Sequence, residues 1–226
     1  MNILTQLQKE ILNAVGTSSL GKTYVWTGGT ALAYRLKHRL SEDLDFFTQT
    51  LEAPEIFLNQ IKILQDRCQL QQERYEEKMN RRLFIFKRDK DIIKMEFVYF
   101  PFSPLKKPPL DRTLKVRIDP MEEIAVNKVL SAFQRREPKD AYDLYILCSR
   151  KKMDLKKLIE DVQKKFGVHL DCGALVAKLT ALSQGVRQLE PLLTKKNALL
   201  SAKMIDFFQN KGNRYLERMI TGNTDD

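Results

Sequence analysis

The segment Val25–Phe47, VWTGGTALAYRLKHRLSEDLDFF, constrains this chain more than any other. A short β-prone run ends in two glycines, which let the backbone turn tightly and approach a ligand closely. A helix follows, and the free N–H groups of its first turn favour an anion such as phosphate. The chain then returns as a strand carrying Asp43 and Asp45. Residues two apart on a strand share a face, so the two carboxylates repel unless a cation lies near them. Mg²⁺ suits such a pair, because it takes hard oxygen ligands and keeps substrate phosphates in its shell. A solvated strand edge would also tolerate the same D-x-D. The glycine turn and helix beside it favour the metal reading.

A third carboxylate is expected from a neighbouring strand. In IIKMEFVYF, Glu96 stands among apolar residues with Lys94 on the same face. An acid there needs a partner, and two fit: a metal ion or a salt bridge. Asp89 and Asp91, in the polar turn KRDKD, read as solvated. His38 has no second histidine or cysteine at ligand spacing, which argues against zinc. Tyr24 and Trp26 read as core. Arg39 follows the first helix of the segment, where it suits either the helix dipole or a phosphate.

Just upstream, Gly16–Thr23 reads GTSSLGKT and matches the phosphate-loop pattern G-x-x-x-x-G-K-S/T. That loop must leave a strand and open a helix. Here the order is reversed. Ile3, Leu4, Leu7, Ile11, Leu12 and Val15 mark a helix before it, and YVWT a strand after it. GTSSLGKT is therefore expected to be a helix-to-strand turn, with the phosphate turn at TGGT.

Beyond the segment, APEIFLNQIKILQDRC reads as a helix with Pro54 in its first turn. LQQERYE, RLFIFKR and IIKMEFVYF read as strands, FPFSPLKKPPLDR as a surface loop and LKVRI as a short strand. From Asp119 the pattern is helical throughout, opening on DPMEEIAVNKVLSAFQRR and PKDAYDLYILCSRKK. The expected division is an α/β core over 1–118 and a helical domain over 119–226.

The net charge of +10 favours polyanionic partners, nucleotides and nucleic acid first. Lys106, Lys107, Lys115, Arg117 and the RKKMDLKK run are the basic positions that a nucleic acid would contact, although each also fits a solvated face. Three scattered cysteines suggest reduced thiols and a cytoplasmic protein. No apolar run is long enough to span a membrane, and MNILTQLQKEILNAV, broken by polar residues, is not expected to act as a secretion signal.

GGTALAYRLKHRLSEDLDFF resembles the first motif of the AbiEii/MenT-type nucleotidyltransferases, toxin components of type IV toxin–antitoxin systems within the polymerase-β-like superfamily. MEEIAVNKVLSAFQRREPKDAYDLYIL is similar to that family's pattern of a helix with an inward lysine, an arginine further on, and a K/R-D-x-x-D-L segment. The resemblance runs from Val25 to Leu147. It implies an α+β fold, a mixed nucleotidyltransferase-type sheet flanked by helices, with a C-terminal helical domain. It implies that Asp43, Asp45 and Glu96 hold two Mg²⁺ ions. Gly28, Gly29, Thr30 and Ser41 would meet the nucleotide phosphates, and Lys128 would contact the nucleotide or stabilise charge in transfer. Asp140 or Asp143 would orient Lys128 or the nucleotide, so that the helical domain contributes Lys128 and Asp143 to the cleft. A helix–helix ion pair also accounts for Lys128 and Asp143.

The reaction implied moves a nucleoside monophosphate from an NTP to an acceptor, with tRNA or another RNA expected, in a toxin or abortive-infection setting with a cognate antitoxin. A protein acceptor is one alternative. A non-catalytic basic nucleic-acid-binding module on the same scaffold is the other, and both D-x-D carboxylates with Lys128 argue against it.

Overall fold

The computed structural model describes residues 2–195 and 197–221. The chain divides into two compact units, one ending at Met121 and the other beginning at Glu122.

The first unit opens with α1 (Gln6–Gly16), whose Leu7, Ile11, Leu12 and Val15 are buried. A capping box starts it: Thr5 accepts from the Gln8 N–H while the Gln8 side chain accepts from the Thr5 N–H. GTSSLGKT then departs from the simple turn expected of it, because Leu20–Thr23 closes one turn of helix, α2. The glycines of that stretch have a packing reason. A Cβ on Gly21 would lie 2.7 Å from the Gly16 Cα, and a Cβ on Gly16 would run into the Lys115 carbonyl.

Next come β1 (Val25–Thr27), α3 (Gly28–Leu36), β2 (Leu44–Thr48) and α4 (Pro54–Cys68). Pro54 at the first turn and Gln69 in the left-handed region bound α4. β3 (Gln71–Lys78), β4 (Arg81–Arg88) and β5 (Asp91–Tyr99) follow as the charged turns predict. The short pair β6 (Leu110–Asp111) and β7 (Val116–Arg117) completes the unit.

The five main strands form one mixed sheet in the order β1-β2-β5-β4-β3. Only the central β2–β5 pair is parallel, with Leu44 opposite Met95 and Asp45 opposite Glu96. Period-two patterning then separates two faces. Leu44, Phe46, Met95, Phe97, Phe84 and Phe86 are buried on one. There α4 sets Phe57 against Phe97, ring centroids 5.2 Å apart, and Tyr24 meets Phe97 at the same separation. Asp45 and Glu96 alternate onto the other face.

The second unit is helical: α5 (Met121–Gln134), α6 (Pro138–Arg150), α7 (Leu155–Phe166), α8 (Cys172–Gln184), a 3-10 helix (Gly185–Leu192) and α9 (Leu200–Thr221). Asp119 and Pro120 precede α5 rather than opening it, and both belong to the first unit, where the Asp119 N–H donates to the Trp26 carbonyl. Pro138 starts α6, Asp171 caps α8 through the Ala174 N–H, and Gly167 ends α7 in the left-handed region. The Lys165–Glu123 ion pair is buried, with Lys165 also donating to Asn127 Oδ1 at 2.8 Å. Cys68, Cys148 and Cys172 are buried free thiols.

Candidate active site

The first unit gathers its polar groups where β1 and β2 meet α3. Gly28 has φ +76°, and a Cβ there would land on the Asp45 carboxylate, 2.9 Å from its Cγ. Only a glycine lets the turn sit so close to that acid. A Cβ on Gly29 would lie 2.7 Å from Nη2 of Arg39. Arg39 is buried and donates to the Leu40 carbonyl at 3.0 Å. It therefore packs its guanidinium against the glycine turn, well past Lys37, the C-cap of α3. Thr30 is buried, with its hydroxyl 2.8 Å from that of Ser41 and hydrogen-bonded to the Asp43 carbonyl. Gly28, Gly29, Thr30, Ser41, Asp43 and Asp45 thus form one local cluster.

Asp43 lies one residue before β2, and Asp45 is the second residue of that strand. Lys94 Nζ stands 2.9 Å from Asp43 Oδ2 and 2.9 Å from Glu96 Oε1. Burial disfavours the Lys94 charge, but hydrogen bonds to Asp43 and Glu96 outweigh it and raise its pKa above the ordinary value. Glu96 is also 3.6 Å from Arg81. Among the described residues, no three His, Cys, Asp or Glu side chains converge as a metal cluster. The donor chemistry nonetheless suits a hard cation at Asp43 and Asp45, and the Lys94 ammonium already answers the charge of Asp43 and Glu96. The Thr27 hydroxyl, on the residue opposite Asp45 in the ladder, is buried and has no hydrogen-bond partner among the described residues. Such a group fits a site that receives a polar ligand.

In the second unit, α5 and α6 bury a charged cluster. Lys128 Nζ lies 2.7 Å from Asp140 Oδ1 and 2.9 Å from Asp143 Oδ2. Arg135 grips Asp140 with two bonds, Nε to Oδ2 at 2.6 Å and Nη2 to Oδ1 at 3.0 Å. Both aspartates are fully buried. Burial alone would raise the Asp140 pKa, yet Lys128 and Arg135 together hold it below the usual carboxylate range.

Several expected positions lie elsewhere. Asp89 and Asp91 are exposed, as are Lys106, Lys107, Lys115, Arg117 and the lysines of the RKKMDLKK run. Tyr24 and Trp26 are core residues. Lys94 and Arg135 also belong to the two clusters, beyond the expected site residues. Their signal was charge: each cluster needed a cation for its acids.

The fold is a mixed five-stranded sheet with a glycine turn beside the D-x-D strand, followed by helices. Two solved structures from Helicobacter pylori share it. One, provisionally described as a nucleotidyltransferase, superposes with a TM-score of 0.59 at 19% identity, over 95% of each chain. The other, JHP933, gives 0.53 at 18% identity, over 96% of this chain and 94% of that one. An uncharacterised protein of Aquifex aeolicus (strain VF5) is 29% identical over 216 residues, 93% of this chain and 100% of its own. Residues 10–225 match the family model described as "Nucleotidyl transferase AbiEii toxin, Type IV TA system". The chain belongs to this family, and it is a nucleotidyltransferase.

Proposed function

We propose that the chain transfers a nucleoside monophosphate from an NTP to an RNA acceptor, tRNA foremost, with Mg²⁺ held by Asp43 and Asp45. The observation that carries the reading is the Asp45 carboxylate lying against Gly28, with Asp43, Ser41 and Thr30 beside the same turn. In the reaction, the acceptor hydroxyl oxygen bonds to the α-phosphorus as the bond to the β-phosphate oxygen breaks. Pyrophosphate leaves, and the hydroxyl proton passes to solvent.

The chain's own residues supply position and charge rather than a covalent intermediate. The first turn of α3 offers backbone N–H groups to the phosphates. Thr30 holds Ser41 and the Asp43 carbonyl, so the carboxylates present one geometry. Lys94 balances the charge of Asp43 and Glu96, and Glu96 acts here through its ion pairs with Lys94 and Arg81. Bound at Asp43 and Asp45, one or two Mg²⁺ ions would neutralise charge on the triphosphate and the departing pyrophosphate. Within the second unit, Asp140 and Asp143 hold the Lys128 ammonium in place. The net charge of +10 supports a polyanionic acceptor, and the family supports a cognate antitoxin.

The test supplies each α-labelled NTP with Mg²⁺ and total tRNA or cell extract, beside an Asp43→Ala/Asp45→Ala double variant. Label in RNA that the variant fails to transfer is the expected result. Label in protein instead would move the acceptor class. No label from any NTP, together with no NTP binding, would overturn the reading.

A further inference from the structure

Gln8 is an anomaly on α1. It is only 3% exposed, on a helix whose other buried positions are apolar. A buried amide must satisfy both of its ends, and Gln8 does so across 33 residues of sequence. Its Oε1 accepts from the Thr5 N–H at 2.9 Å, completing the capping box. Its Nε2 donates to two successive carbonyls, Ser41 at 3.1 Å and Glu42 at 3.0 Å. These carbonyls belong to the connection that delivers Ser41 and Asp43. Thr30 holds the same stretch through the Ser41 hydroxyl and the Asp43 carbonyl. The connection is pinned at three consecutive residues by two buried side chains.

Capping alone does not require a glutamine amide, because the capping box works equally with glutamate. The second, donating end is needed only for the Ser41–Glu42 backbone. We infer that Gln8 is a positioning residue of the nucleotide site: its amide sets the path of Ser41–Asp43, and so the placement of the Ser41 hydroxyl and the Asp43 carboxylate. The inference rests on the reading that these two groups face the nucleotide.

Two substitutions separate the roles. Gln8→Glu keeps the acceptor for the Thr5 N–H but, once ionised, has no hydrogen for the carbonyls. Thr5→Ala removes the hydroxyl half of the cap and leaves the amide. Affinity of the full chain for each Mg-NTP is measured by titration calorimetry at pH 7.5, with thermal melting alongside. Gln8→Glu is expected to melt cooperatively but at a lower temperature, because its buried carboxylate faces two carbonyls, and to bind NTP about tenfold more weakly at a temperature where it is fully folded. Part of that loss should return towards pH 5, where a neutral carboxyl can donate again. Thr5→Ala is expected to melt earlier and bind within about twofold of wild type. Folded Gln8→Glu with wild-type affinity would overturn the inference alone. Affinity lost only together with cooperative melting would also overturn it, by making the role structural. A wild-type chain that binds no NTP would overturn the nucleotide-site reading itself and this inference with it.

Discussion

Gly28 shows how one residue links backbone conformation to the site. Its φ of +76° is left-handed, and its missing Cβ leaves the space taken by the Asp45 carboxylate. Gly28→Ala should therefore cost about 1–2 kcal/mol in backbone strain, read by urea denaturation, and displace Asp45 as well. Gly29→Ala should cost less backbone strain, because Gly29 lies outside the left-handed region, although its Cβ would press on the buried Arg39 guanidinium. Equal effects of the two substitutions would contradict this geometry. Asp43 and Asp45 were legible in the sequence because strand periodicity places residues two apart on one face. Arg39 was not. Its position past a helix reads as either dipole compensation or a phosphate contact and does not choose between them, whereas the chain turns at Lys37 and carries the guanidinium back to Gly29. Gln8 was equally hidden, since a glutamine on an amphipathic helix reads as polar surface and its partners lie far along the chain.

At the scale of elements, the alternation in β2 and β5 survives unchanged from sequence to sheet, and so do the proline starts of α4 and α6. The strand order β1-β2-β5-β4-β3 was not legible, because periodicity says which face a residue takes but not which strand lies beside it. The one-turn helix Leu20–Thr23 was also missed, being too short to carry a hydrophobic repeat. It sharpens the reading of GTSSLGKT. Gly16 and Gly21 are glycines because α1, α2 and the Lys115 backbone crowd together, and Lys22 is exposed. Gly21→Ala should accordingly lower the melting temperature while leaving NTP affinity within about twofold, and Lys22→Ala should change neither. A Lys22→Ala variant that loses nucleotide would restore the phosphate-loop reading.

For the whole molecule, acid stability depends on buried carboxylates held ionised. Asp140 titrates below its unfolded value of about 3.9, so its contribution is present above that pH and lost as pH falls through the lowered folded value. Urea midpoints measured from pH 5 to pH 2 should fall more steeply for wild type than for Asp140→Asn, and parallel slopes would contradict the assignment. The helical second unit was legible as helices and so was the pairing of Lys128 with Asp143 or Asp140, but the share of Arg135 in one network was not, because sequence spacing cannot distinguish one shared ion network from separate pairs. The central claim is that the Asp43/Asp45 site passes a nucleoside monophosphate to an acceptor. Its most direct test compares the same NTP labelled at the α- and at the γ-phosphate, with wild type and Asp43→Ala/Asp45→Ala. The account predicts α-label on the acceptor, γ-label only in released pyrophosphate, and neither product from the variant. Label from the γ-phosphate on the acceptor, or transfer undiminished in the variant, would contradict it.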